Sequence, residues 1–299
     1  MALNFSFDNA AFHFVRTDGP RGFLWKFLLA YILLGAVLNI LNFGLQFVLF
    51  GGINGLQDSL ISRNASFVMI GIYYLFAMVT GVSFWAVFES QVQRRYVRDE
   101  GFSLQFGADE LRLVGVALLW ILFFIAGYVV SALAVLGLMM PVSQLMGSSA
   151  GFAGLWMFAV FAAISCVWIW VTVKLSAASA LTIRDRKVKF IDSWAATEGR
   201  FWPLFGAYLA LSLFFFIAYL ILAAVFFGLV LGGGLNFSDP TAIAALMPPQ
   251  GIGLSFIVIT FVMMIFQGIG LYVWSGPAAL AAKTDPRGGG AVNIADEFS

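Results

Sequence analysis

The chain has 299 residues, 62% of them hydrophobic and only 10% charged, with a mean hydropathy of +0.96. Too few polar side chains remain to cover a water-soluble domain of this size, whereas a bilayer is itself an apolar solvent. The net charge of +1 gives no polyanion-binding balance, so nucleic acid is not an expected partner.

In chain order, FSFDNAAFHFVR is expected to lie at the membrane interface as a short amphipathic segment, with the sole histidine, His13, as an interfacial side chain. The first apolar run, about 23–50, is too long for a secretory h-region and lacks a small-residue cleavage site, so it is expected to stay as a membrane helix. Five more runs, about 67–90, 111–140, 152–182, 201–231 and 252–282, each exceed the roughly 20 residues a spanning helix needs. Two further segments, FSLQFGADELR and 184–202, are expected to be amphipathic and interfacial, before the third and fifth runs. Cys166 lies in AAISCVWIW as a lone packing residue, and Gly228 and Gly232 are spaced for close helix packing.

Polar side chains inside these runs are costly unless paired or hydrated. Asn39, Asn42 and Gln46 step by three and four and so share one helix face. Together with Gln267 of the last run, they form a candidate polar stripe that either bonds to neighbouring helices or lines a conduit. Glu89 and Lys174, at nearly equivalent depths in the second and fourth runs, form a candidate intramembrane ion pair.

Placing both termini in the cytoplasm puts fifteen basic residues on that side and only Arg63 opposite, the positive-inside pattern. Two spacings recur along the chain. GFLWKFLLAY and GRFWPLFGAY align Gly22, Trp25, Ala30 and Tyr31 with Gly199, Trp202, Ala207 and Tyr208. Ser90, Ser176 and Ser275 are each followed eight residues later by a base, Arg98, Arg184 and Lys283. These spacings predict an all-α, six-helix polytopic membrane protein, a single membrane domain built as three hairpins, about 1–97, 98–183 and 184–285. A flexible tail, 286–299, follows. Asn64 and Asn236 head N-x-Ser sequons in outer loops.

The stretch IRDRKVKFIDSWAATEGRFW, residues 183–202, holds eight charged residues between the last two hairpins. Arg184, Arg186, Lys187, Lys189, Trp194, Arg200 and Trp202 are its candidate headgroup contacts. SAASAL, a charged gap and DSWAATEGRFWPLFGAYL together resemble the membrane domain found beside glycerophosphodiester phosphodiesterases and in related stand-alone six-helix bacterial proteins. The resemblance rests on Ser193, Trp194, Thr197, Gly199, Phe201 and Trp202, within about 170–210, and departs at Asp192, Ala195, Glu198 and Pro203. It implies a bacterial inner-membrane protein. It does not bring a phosphodiesterase with it, because that chemistry uses metal-binding acids and paired histidines in a soluble barrel.

No phosphate-cradling loop, Cys/His metal spacing or G-x-S-x-G elbow occurs in the sequence. No catalytic, cofactor-binding or metal-binding residue is therefore expected, nor enzyme activity. The leading expectation is a non-enzymatic accessory or scaffold that contacts membrane lipids or another membrane protein. The alternative is a small transporter or lipid-handling protein using a polar cavity between helices.

Overall fold

A computed structural model describes residues 4–17, 19–51, 66–145, 150–230 and 254–287. Arg63, both sequons, Gly232 and the tail beyond Arg287 lie outside the described residues. The helices in order are α1 (Phe7–Ala11), α2 (His13–Arg16), α3 (Phe23–Phe50), α4 (Phe67–Arg98) and α5 (Ala108–Leu145). They continue with α6 (Ala150–Leu175), α7 (Ala178–Asp185), α8 (Asp192–Ala196), α9 (Phe201–Val230) and α10 (Leu254–Lys283). Among the described residues there is no strand. Six helical segments are long and apolar enough to cross a membrane, the fourth being α6 and α7 taken together. The protein is an all-α polytopic membrane protein.

In hydrocarbon every backbone N–H and C=O must be satisfied within the protein, which favours long uninterrupted helices. Where a helix has to begin abruptly, the backbone uses glycine: Gly22, ahead of α3, has φ +78°, and Gly199, ahead of α9, has φ +72°. A Cβ is disfavoured in that left-handed region. The two positions are the aligned glycines of the repeated G-x₂-W spacing.

Helices adjacent in sequence pack on each other, α3 with α4, α5 with α6 and α9 with α10. At the centre α4 lies against α10, α7 packs on both, and α5 closes over α4 and α7. The densest core occupies one end, where the charged residues also gather. Residues 86–96 of α4 and 278–282 of α10 are buried there without interruption. Phe27 meets Phe88 edge-on at 5.5 Å, and Tyr31 packs edge-on against Phe84 and Phe88, both at 4.8 Å.

The amino-terminal segment docks on this charged end. Ser6 caps α1 by accepting from the Asn9 N–H at 3.2 Å. Ala10 and Ala11 are buried with Ala207 and Leu280, while Phe7, Phe12 and Val15 stay exposed on the other face. His13 departs from expectation: it is 1% exposed, with its ring 5.2 Å from that of Tyr96. A four-residue helix that folds back over the bundle turns this side chain inward. The segment before α5 also differs, because 101–106 is not helical and Ser103 N–H donates to Gln91 Oε1 at 3.1 Å.

Candidate functional site

The fourth span is broken. Its apolar run is continuous in sequence, yet α6 stops at Leu175 and α7 starts at Ala178. A break frees carbonyls that an unbroken helix would satisfy. The Lys174 carbonyl accepts from Thr197 Oγ1 at 2.9 Å and from Ser193 Oγ at 3.1 Å. Lys174 Nζ donates in return to the Thr197 carbonyl at 3.3 Å and lies 5.9 Å from the Trp194 ring centre. Thus 184–202 is not one interfacial helix. The chain turns sharply at Arg186, a non-glycine residue at φ +52°, and α8 is held inward by buried Ser193 and Thr197.

Three bases close the charged end. Arg98 donates to the Ile183 carbonyl at the end of α7, and Arg184 to the Ala282 carbonyl at the end of α10. Lys283 donates to the Tyr96 carbonyl at the end of α4 at 3.3 Å. The bonds run α4 to α7 to α10 and back to α4, setting cations on helix ends that carry partial negative charge. Carboxylates brace the same bases: Asp109 on Arg98 at 2.7 Å, Asp185 on Arg184 at 2.7 Å and Asp99 on Lys283 at 3.1 Å. One layer deeper, Arg94 pairs at 2.7 Å with Glu110, which is 0% exposed and also accepts from Ser90 at 2.7 Å.

Beneath this layer lies a cavity of about 460 Å³. It is bounded by α4, α5, α6, α9 and α10, with Trp85, Trp120, Phe205 and Trp274 among its walls. Its polar lining is Glu89, Gln93 and Ser275 together with the hydroxyls of Thr172, Ser176, Tyr208 and Ser212. Glu89, 6% exposed, accepts from Gln93 Nε2 at 2.7 Å and has Ser275 Oγ at 3.0 Å. The Ser275 hydroxyl is also 2.8 Å from the Leu271 carbonyl, and it has a single proton for the two. Gln93 is 1% exposed and its Oε1 has no partner.

The expected Glu89–Lys174 ion pair is therefore corrected. Glu89 turns into the cavity toward Gln93 and Ser275, while Lys174 is drawn to the helix break. The candidate polar stripe is also divided. Asn39 and Asn42 line a separate space of about 150 Å³ between α3 and α4. Their Nδ2 groups donate to their own helix, at the Gly35 and Leu38 carbonyls, both at 2.9 Å, and Asn39 Nδ2 also reaches Met264 Sδ of α10 at 3.9 Å. Gln46 is also engaged. Gln267 borders a third space of about 360 Å³, with Phe84 forming a wall of both this and the asparagine-lined space.

The seven candidate headgroup contacts fall into two groups. Arg186, Lys187 and Trp202 are exposed, and Trp194 is 37% exposed with its ring edge-on to Trp170 at 4.9 Å. The others are used internally. Arg184 belongs to the ring of helix-end bonds. Arg200 donates to the Ala281 carbonyl at 2.9 Å and the Thr284 carbonyl at 2.7 Å, and its burial lowers its pKa. Lys189 bridges Asp185 at 3.5 Å and Asp192 at 3.2 Å; its bond to Asp192 is the main cause of a raised pKa.

Gln93 and the three cavity tryptophans carry no spacing that groups them in the sequence. Ser176 and Ser275 do, since the serine-to-base spacing singles them out and both line the cavity; Ser90 instead bonds Glu110. No family model, curated protein or solved structure matches this chain.

Proposed function

We propose that the protein is a non-enzymatic membrane protein that receives an amphipathic molecule, a lipid or a small solute, in the cavity between its hairpins. The observation that carries this reading is a space of about 460 Å³ with indole walls and a buried carboxyl group, Glu89, that has no ion-pair partner among the described residues. Ligand pockets commonly occupy about 300–1,000 Å³, with apolar walls and a few convergent polar groups. A buried carboxyl group at the base of an apolar, partly open space favours lipid or solute handling over the accessory role.

Several features support a finer reading. The fifteen-to-one distribution of bases favours cytoplasmic termini, and the resemblance over 170–210 favours a bacterial inner membrane. The matched positive φ values at Gly22 and Gly199 and the cyclic bonding of Arg98, Arg184 and Lys283 support descent of the hairpins from one repeated unit. The residues of the resemblance have a structural role here, with Ser193 and Thr197 holding the broken fourth span.

The test is native mass spectrometry of the protein extracted from its own membrane with gentle detergent removal. A stoichiometric lipid or small-molecule mass is expected. A stoichiometric protein partner with no small ligand would transfer the assignment to the accessory role.

A further inference from the structure

Resting on that reading of the cavity, we infer that its ligand carries a primary ammonium group on an apolar body. At the Glu89 end of the cavity acceptors outnumber donors, since the lining hydroxyls of Thr172, Ser176 and Ser212 donate to nearby backbone carbonyls and Tyr208 adds a single phenol. Gln93 spends its amide N–H on Glu89 Oε1 at 2.7 Å, leaving its own Oε1 buried without a donor. Ser275 has one proton for Glu89 Oε2 at 3.0 Å and the Leu271 carbonyl at 2.8 Å. The nearest candidate base by sequence depth, Lys174, is committed to Thr197. With Glu89 ionised, this point lacks both a positive charge and several N–H donors.

An ammonium supplies three donors and one charge. A hydroxyl supplies one donor and no charge. A quaternary ammonium supplies charge without donors. The walls suit the remainder of such a molecule, since Trp85, Trp120 and Trp274 give it apolar area. A lipid amine headgroup and a free long-chain amine share this chemistry.

The experiment uses the full-length protein in dodecyl maltoside and follows tryptophan emission during titration with n-decylamine, n-decanol and decyltrimethylammonium. Decylamine is expected to bind roughly tenfold or more tighter than the other two, as a charge-assisted bond in a buried site would give. Glu89→Gln should remove most of that preference. Mixed micelles with phosphatidylethanolamine or phosphatidylglycerol identify the source: displacement of decylamine by the former alone marks a lipid headgroup, and displacement by neither marks a free amine. Equal binding of decylamine and decanol to the unmodified chain would overturn the ammonium assignment and leave the cavity reading standing. Absence of binding by all three, with no lipid retained, would overturn both. The comparison among probes needs no variant to fold.

Discussion

Lys174 and Thr197 bond each other in both directions. The Thr197 hydroxyl donates to the Lys174 carbonyl at 2.9 Å, and the Lys174 ammonium donates to the Thr197 carbonyl at 3.3 Å. The pair fastens the 184–202 hinge to the break between α6 and α7, with Ser193 as a second donor to the same carbonyl at 3.1 Å.

Because two hydroxyls serve one carbonyl, either alone can satisfy it. Thr197→Val and Ser193→Ala are each expected to cost about 1 kcal/mol. The double variant should cost more than their sum, since only it orphans the carbonyl. Thermal unfolding in detergent reads all three, and strict additivity would show that the carbonyl finds another donor.

The buried Arg94–Glu110 pair gives a larger effect. Glu110→Gln removes the charge closest to a guanidinium that is 3% exposed, leaving Glu100 and Asp109 at 3.9 and 4.0 Å, and such a change costs up to roughly 3 kcal/mol. Replacing both partners, Arg94→Met with Glu110→Gln, should recover more than half of the loss. A double variant as unstable as Glu110→Gln would place the cost in the Ser90 and Gly107 bonds to Glu110 instead.

The three helix-end bases differ in exposure, which ranks their contributions. The Lys283 and Asp99 side chains are 40% and 46% exposed, so Lys283→Met is expected to cost under about 1 kcal/mol, as exposed ion pairs do. Arg98, 15% exposed, supports both the Ile183 carbonyl and Asp109, and Arg98→Met should cost about 2 kcal/mol. A reversed order in melting temperature would contradict this ranking.

Acid is expected to release the amino-terminal segment. Burial, aided by nearby Lys283 and opposed by Asp99, lowers the pKa of His13 from 6.5 to about 4. The docked segment therefore favours neutral imidazole, while a released one takes up a proton below about pH 6.5. Stability of docking is complete above pH 6.5 and declines as pH falls toward 4, by roughly 3 kcal/mol when fully expressed. Relative to the intrinsic amide exchange rate at each pH, protection of residues 4–17 should fall between pH 7 and pH 4.5, and His13→Leu should abolish that loss of protection.

The spans were legible because their length and apolarity follow directly from bilayer thickness. The first run, about 23–50, coincides with α3, and 201–231 nearly coincides with α9. The break at Ser176 was not legible, because IWVTVKLSAASALTI reads as uninterrupted apolar sequence and its rescue by Thr197 is 23 residues away. The serine-to-base spacing pointed correctly to the charged end, yet could not show that each base bonds the next returning helix. The same spacing paired Glu89 with Lys174 by depth alone. Depth is a single coordinate, and rotation about α4 directs Glu89 into the cavity instead. The cavity itself draws on five helices, none of whose sequences marks its share.

The circuit of helix-end bonds also sets an order of assembly. Each hairpin can form as its two helices emerge, but the circuit is incomplete until Lys283 reaches the Tyr96 carbonyl and the end of α10 meets Arg184. Throughout synthesis of the first five spans, Arg184 and the end of α4 lack those final partners. The last helix thus acts as the keystone of this end of the bundle, because its arrival ties the ends of α4, α7 and α10 together.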